Sequence, residues 1–291
     1  MARSRNLSLA LVLFSSVFGC QTGGDEAVRD RLESWWRLYQ QDAEEWPSAR
    51  DQWYALGGDE RDALVMTLVR DMVHRAATPV RTERGALEPG WKRAQRELLR
   101  LPADGCVPVL SEALRAGNDP VSLEAISDTL AGFGAIDELE GVLSSPRPQD
   151  TAAARRFALL GLVKVGGEEA VSRVGGVLRN HESWEMRSAA ADALGAARYT
   201  DRERAATVLV QGLEDADPFV LRKACESLAK LGVPGAAPAV AIRHERAARE
   251  RDDESAKWTV QTLRVLTGTT VPGDDPNQWR QAAQRAASQG G

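Results

Sequence analysis

Asp217-Pro218-Phe219-Val220-Leu221-Arg222-Lys223-Ala224-Cys225-Glu226-Ser227-Leu228-Ala229-Lys230-Leu231-Gly232 is the stretch that decides the fold. Val220, Ala224, Leu228 and Leu231 recur at helical spacing, so one apolar stripe must face a core. Asp217 offers a side-chain oxygen to the free N–H groups of the first turn, and Pro218 is tolerated there. Gly232 stands where the chain must turn left-handed to leave the helix. The same Leu-x-x-x-Gly spacing joins Leu130 to Gly134 and Leu162 to Gly166. Leu98 with Pro102 and Leu194 with Arg198 keep the register without the glycine. Leu263 and Gly268 continue it one residue late. The anchors at 102, 134, 166, 198, 232 and 268 are separated by 32, 32, 32, 34 and 36 residues. After each anchor comes a second apolar-periodic segment, at 107–115, 135–143, 168–178, 202–213 and from 236 onward. A unit of two short helices cannot bury its own apolar faces, so repetition predicts a stack.

Residues 217–224 with 228–232 resemble a HEAT repeat, close to the short subtype named after phycobilisome-lyase HEAT-like proteins. Glu185-Met186-Arg187-Ser188-Ala189-Ala190-Ala191-Asp192-Ala193-Leu194-Gly195 is similar, and so is Arg155-Arg156-Phe157-Ala158-Leu159-Leu160-Gly161-Leu162. The resemblance spans 91–270. It implies an all-α chain, an α-solenoid of HEAT-like helix pairs whose second helices line a concave face, and it implies no particular activity. The unit opening at Asn118 is short and Arg198 breaks the glycine rule, so those two joints are expected to be irregular.

The ends are expected to cap the stack. Residues 25–78 form an N-terminal helical cap with helices at 26–44, 48–56 and 59–76. Residues 79–90, with Pro79, Gly85, Pro89 and Gly90, read as a loop, so the body should hold no sheet. Residues 271–291 form the C-terminal capping segment. Leu266-Thr267-Gly268, Asp274-Asp275-Pro276 and Trp279 resemble the closing segment of many bacterial HEAT-repeat proteins, with Asp275 capping a last helix and Trp279 folding back.

The first residues read as an address. Arg3 and Arg5 precede a short apolar stretch, 7–18, below the ~20 residues a membrane span needs. Val17-Phe18-Gly19-Cys20 resembles a bacterial lipobox. That implies a lipoprotein signal peptide over 1–19, lipid attachment at Cys20 and a tether over 20–24. A plain secretory signal with a chance cysteine is the alternative. Gln21 after the lipidated residue implies the periplasmic face of the outer membrane. Loss of Arg3 and Arg5 takes the net charge from −5 to −7.

Composition excludes several classes. Hydrophobic residues at 43% and charged residues at 27% are ordinary for a folded chain, and the negative balance argues against nucleic acid as a partner. The 3 His lie in different units, so a metal centre is not expected, and no phosphate-cradling or nucleophile-elbow motif occurs. No cofactor is expected. Cys106 and Cys225 lie about four repeats apart, too far for a disulfide, and read as buried thiols. Asp252-Asp253-Glu254 and Asp215/Asp217 lack a calcium-loop pattern and read as solvated loops. Residues 151–251 hold 16 basic and 13 acidic side chains. Arg173, Arg179, Arg243 and Arg246 fall on second-helix segments and are candidates for recruiting an acidic partner, the alternative being a solvated face. Trp35 and Trp36 cannot both face one helical stripe, so one is a candidate contact anchor. Packing of the cap onto the array is the alternative.

The expected function is a non-catalytic scaffold for protein–protein interaction, lipid-anchored in the cell envelope, with an envelope protein or peptide as partner. An envelope assembly or chaperone-like adaptor is one rival. An enzyme on a HEAT-like scaffold, such as a lyase or glycosylase, is the other.

Overall fold

A computed structural model of the protein describes residues 26–76, 78–81, 87–145, 151–271 and 274–289. The first-helix layer comprises α4 (Lys92–Leu98), α6 (Pro120–Gly132), α8 (Ala152–Val165), α10 (Trp184–Leu194), α12 (Pro218–Leu231) and α14 (Asp253–Thr267), each packed on the next. The second layer comprises α5 (Ala103–Ala116), α7 (Ile136–Leu143), α9 (Gly167–Asn180), α11 (Arg202–Leu209) with a 3-10 turn at Val210–Glu214, α13 (Ala237–Glu250) and α15 (Pro276–Gln289). Leu98, Leu130, Leu162, Leu194, Leu228 and Leu263 are all fully buried. One repeated leucine therefore fills the same place in each layer of the core, as the spacing predicts.

Each first helix from α6 to α14 is opened by a side chain at its N-cap. Asp119 accepts from the Ser122 N–H (2.8 Å), Thr151 from Ala154 (2.9 Å), Ser183 from Met186 (3.3 Å), Asp217 from Phe219 (2.9 Å) and Asp252 from Ser255 (3.0 Å). Where the anchor is glycine the backbone does turn left-handed, with φ of +63° at Gly232 and +62° at Gly268. At the expected irregular joint, α10 leaves instead through Gly195 at φ −64°, and a 3-10 turn at Tyr199–Asp201 leads into α11. The other irregular unit carries the eight-residue α7.

The N-terminal helices are α1 (Glu26–Gln41), α2 (Trp46–Ala55) and α3 (Gly58–His74). Aromatic rings hold them together: Trp36 stacks on Tyr39 with centroids 4.6 Å apart, and Tyr39 meets Trp46 edge-on at 5.0 Å. They join the array through Glu97 of α4, which accepts from Arg50 and from the Trp46 indole, both at 2.8 Å.

One expectation is corrected. The stretch read as a bare loop contains two short strands, β1 (Pro79–Arg81) and β2 (Leu87–Pro89), paired antiparallel with Val80 opposite Glu88. Gly90 permits the closure, because a Cβ there would lie 2.3 Å from the Thr78 carbonyl oxygen. Sequence reading took the Pro and Gly residues as breakers, but Pro is compatible with the end of an edge strand.

At the far end Trp279 of α15 is fully buried, and Asp275 caps that helix through the Asn277 N–H at 2.9 Å. His244 of α13 sits buried between the Thr259 hydroxyl and the Asp274 carbonyl oxygen, both 3.1 Å away, tying the last segment to the final pair. No helix among the described residues is long and apolar enough to cross a membrane.

Candidate functional site

The second-helix arginines are engaged with neighbouring repeats. Arg173 of α9 reaches back to Asp137 (3.3 Å) and Glu140 of α7 and along its own helix to Glu169 (2.7 Å). Arg179 donates forward to Gln211 at 3.2 Å, and Arg246 pairs with Glu214. Arg280 of α15 pairs with Glu245 of α13 in the same manner. Except for Glu169, which is on Arg173's own helix, these partners lie about one repeat away in sequence, so a charge count over 151–251 shows an excess but not which cation meets which acceptor. Arg243 is not on the open surface. It is only 9% exposed and turns toward Asp252 (3.7 Å) and the Ser255 hydroxyl (3.4 Å). The structure thus brings Arg173, Arg179 and Arg246 to one helix layer, leaves Arg243 out, and ties the three into that layer.

The tryptophans divide by burial. Trp36 is 7% exposed and belongs to the core of the cap, so it is withdrawn as a contact anchor. Trp35 is half-buried, 6.3 Å from the Trp53 ring and with the Arg31 guanidinium 5.7 Å from its own. Cys20 lies outside the described residues. Outside these candidates, Trp184 and Phe219 stack at 5.1 Å and are both exposed, at equivalent helix starts of successive repeats.

Among the described residues lies a concave feature, a trough that the sequence did not reveal. Met66, Val69, Arg70, Val73 and His74 of α3 face Pro108, Val109, Glu112, Ala113 and Ala116 of α5 across about 830 Å³ of open space. On each helix these positions form a single stripe. The core side of α3 is made by Leu64, Leu68 and Met72, all fully buried. The run Ala63-Leu64-Val65-Met66-Thr67-Leu68-Val69 therefore spreads apolar residues over more than one face. That excess was the available signal. What turns it into a site is the position of α5, which no local pattern reveals. Arg70 lines the trough, and its buried Nη1 has no hydrogen-bond partner among the described residues.

Little else suggests chemistry. No group of three or more His, Cys, Asp or Glu among the described residues is placed to hold a metal ion. Cys106 and Cys225 are free and buried, and burial pushes both thiols up to about 12, far from thiolate character at neutral pH. Asp128 is the most perturbed carboxylate. Burial works against its charge, but hydrogen bonds from Lys92 and Gln95 and the charge of Lys164 outweigh that and hold it at about 2. It bridges α6 to its neighbours on both sides, a structural task.

The model of the family described as HEAT repeats matches residues 176–264. The chain is an α-solenoid of HEAT-like helix pairs. No curated protein matches it. Human deoxyhypusine hydroxylase in complex with glycerol is 16% identical, over 89% of this chain and 99% of that one, with a TM-score of 0.37. The complex of CpcE and CpcF of phycocyanin lyase from Nostoc sp. PCC7120 is 18% identical, over 93% and 92%, with a TM-score of 0.31. A designed armadillo repeat protein is 15% identical, over 82% and 99%, with a TM-score of 0.33. None of these likenesses carries a function to this chain.

Proposed function

We propose that the protein is a non-catalytic scaffold for protein–protein interaction, lipid-anchored through Cys20 at the periplasmic face of the outer membrane. The anchoring rests on Val17-Phe18-Gly19-Cys20 and the apolar stretch before it. The binding role rests chiefly on one observation: a stack laced laterally by ion pairs leaves an open apolar trough between α3 and α5. Apolar troughs of this kind are binding features more often than packing accidents. Photo-crosslinking residues placed in living cells at Val73, Arg179, Trp184 and Arg285 test the reading. One partner captured in stoichiometric yield is the expected result. A spread of unfolded clients would replace the scaffold with a chaperone-like adaptor, and no partner from any position would refute both.

A further inference from the structure

Resting on the scaffold reading, we propose that the stacked pair Trp184–Phe219, on the edge formed by the starts of α10 and α12, is the recognition point for an arginine side chain in a basic segment of the partner.

Three aromatic side chains are exposed among the described residues: Trp184, Tyr199 and Phe219. Tyr199 already has a cation of its own, with the Arg202 guanidinium 5.3 Å from the ring centre. Trp35, Tyr39, Tyr54 and Trp91, which are less exposed, each hold an arginine or lysine within 5.9 Å. No cation of the described residues sits over Trp184 or Phe219. The two rings stack on each other at 29° and 5.1 Å, so each turns one face inward. With exposures of 38% and 55%, the rest of the pair is open to water, and the exposed Pro218 extends it. A single exposed apolar residue is ordinary, but two large rings stacked across successive repeats make a platform. Such a platform attracts a guanidinium, which is planar and sheds water more readily than an ammonium.

The surrounding charge selects the same occupant. Arg187 of α10 is held by both oxygens of Asp215, at 2.7 and 3.0 Å, and Asp217 and Glu185 act on the same guanidinium. The exposed Glu182 forms no ion pair among the described residues. Beside the pair, carboxylates therefore outnumber cations four to one. The two helix N-termini return only about half a positive charge each. The other cations nearby in the fold are engaged. Arg222 and Lys223 meet Glu226 at 2.8 and 2.9 Å, Arg156 meets Asp192 at 3.2 Å, and Arg155 donates to the Ser145 carbonyl at 3.2 Å. His181 accepts the Ser183 N–H through Nδ1 at 3.1 Å. The next first helix, α14, opens with Arg251, Asp252, Asp253 and Glu254 and reaches Lys257 a turn later, again with more acid than base. An acidic segment or an anionic membrane surface is repelled here. An arginine laid on the rings keeps its N–H groups free for the exposed carboxylates of Glu182 and Glu185.

The test uses the full chain with 5-fluorotryptophan in place of its 8 Trp, and the fluorine signal missing from Trp184→Phe marks Trp184. Acetyl-arginine methylamide should shift that signal saturably and leave the others in place. The lysine analogue should bind about threefold or more weakly, and the norleucine analogue should give no shift. Phe219→Ser, and Glu182→Gln with Glu185→Gln, should each weaken the arginine probe about fivefold or more while circular dichroism and melting stay as in wild type. A displayed peptide library selected on the full chain should enrich arginine, and the best peptide should lose about tenfold on Trp184→Ser or on replacement of its arginine by citrulline. No shift, an equal shift with norleucine, indifference to the charge variants, or enriched peptides that bind Trp184→Ser as well as wild type would each overturn the proposal. So would a Trp184 emission, taken as wild type minus Trp184→Phe, that vesicles of brominated phosphatidylglycerol quench (a membrane contact). A wild-type dimer in light scattering that Trp184→Ser dissolves (a second copy) would do the same. Failure here with a stoichiometric partner crosslinked from Val73, Arg179 or Arg285 removes the aromatic pair alone. Failure of both removes the scaffold as well.

Discussion

Arg50 of α2 and Glu97 of α4 meet at 2.8 Å with both side chains less than a tenth exposed, and this pair fastens the N-terminal helices to the repeat stack. Glu97 also accepts from Trp46 and, on its other oxygen, from Arg100 at 2.7 Å. Removing Arg50 leaves Glu97 buried with only the Trp46 indole and the half-exposed Arg100 as partners. Arg50→Ala should therefore lose about 1–3 kcal/mol of stability, less than a buried charge left wholly unpaired would cost. Urea unfolding should show this, with the cap melting ahead of the array. Arg50→Met with Glu97→Leu should recover much of the loss.

Glycine leaves room for the neighbouring first helix at Gly161, against Ser127, and at Gly195, against Ser227. A Cβ on Gly195 would lie 2.5 Å from the Ser227 hydroxyl oxygen and 3.0 Å from its Cα, so backbone as well as side chain is in the way. Gly195→Ala should cost roughly 1–3 kcal/mol by overpacking. Gly176, in the middle of α9, has nothing within 4 Å of its would-be Cβ. Gly176→Ala should be neutral or stabilising by up to about 1 kcal/mol. Thermal melts of the two variants give the comparison directly.

Leu228 is fully buried, whereas Val265 is 55% exposed. Leu228→Ala should cost about 2–5 kcal/mol and Val265→Ala under about 0.5 kcal/mol in chemical denaturation. Equal effects would mean the repeat register is misplaced.

Asp128 makes acid stability specific. Its folded-state pKa, about 2, lies below its ordinary value, so its contribution is present in full above about pH 4. The contribution is lost as pH falls through the folded value, because the unfolded chain takes up the proton first. With the carboxylate partly open to water, roughly 1–2 kcal/mol is at stake. The stability of Asp128→Asn should fall less steeply than that of wild type between pH 4 and pH 2.

Three cysteines make thiol counting informative. Native protein should leave Cys106 and Cys225 unreactive to a disulfide reagent at about pH 8, since both are buried. Unfolded protein purified from membranes should then titrate two thiols if Cys20 carries a thioether-linked lipid. A third reactive thiol would count against the anchor.

The chain's own pattern determined everything that depends on near neighbours. Leu98, Leu130, Leu162, Leu194, Leu228 and Leu263 mark the core because helical period and repeat length act together on each local segment. Asp119, Asp217 and Asp275 announce helix starts because a cap bonds to N–H groups two or three residues away. Only the stacked structure decided what lies one repeat off. Arg173 read as a free cation until α7 supplied Asp137 and Glu140, and Arg243 read as surface until the start of α14 covered it. Met66 and Val73 were indistinguishable in sequence from core residues, since an apolar side chain looks the same whether or not a neighbouring helix covers it. Burial of Trp36 and exposure of the α3–α5 trough both follow from where helices distant in sequence come to rest, and that is set by summed packing over the whole stack rather than by any local preference.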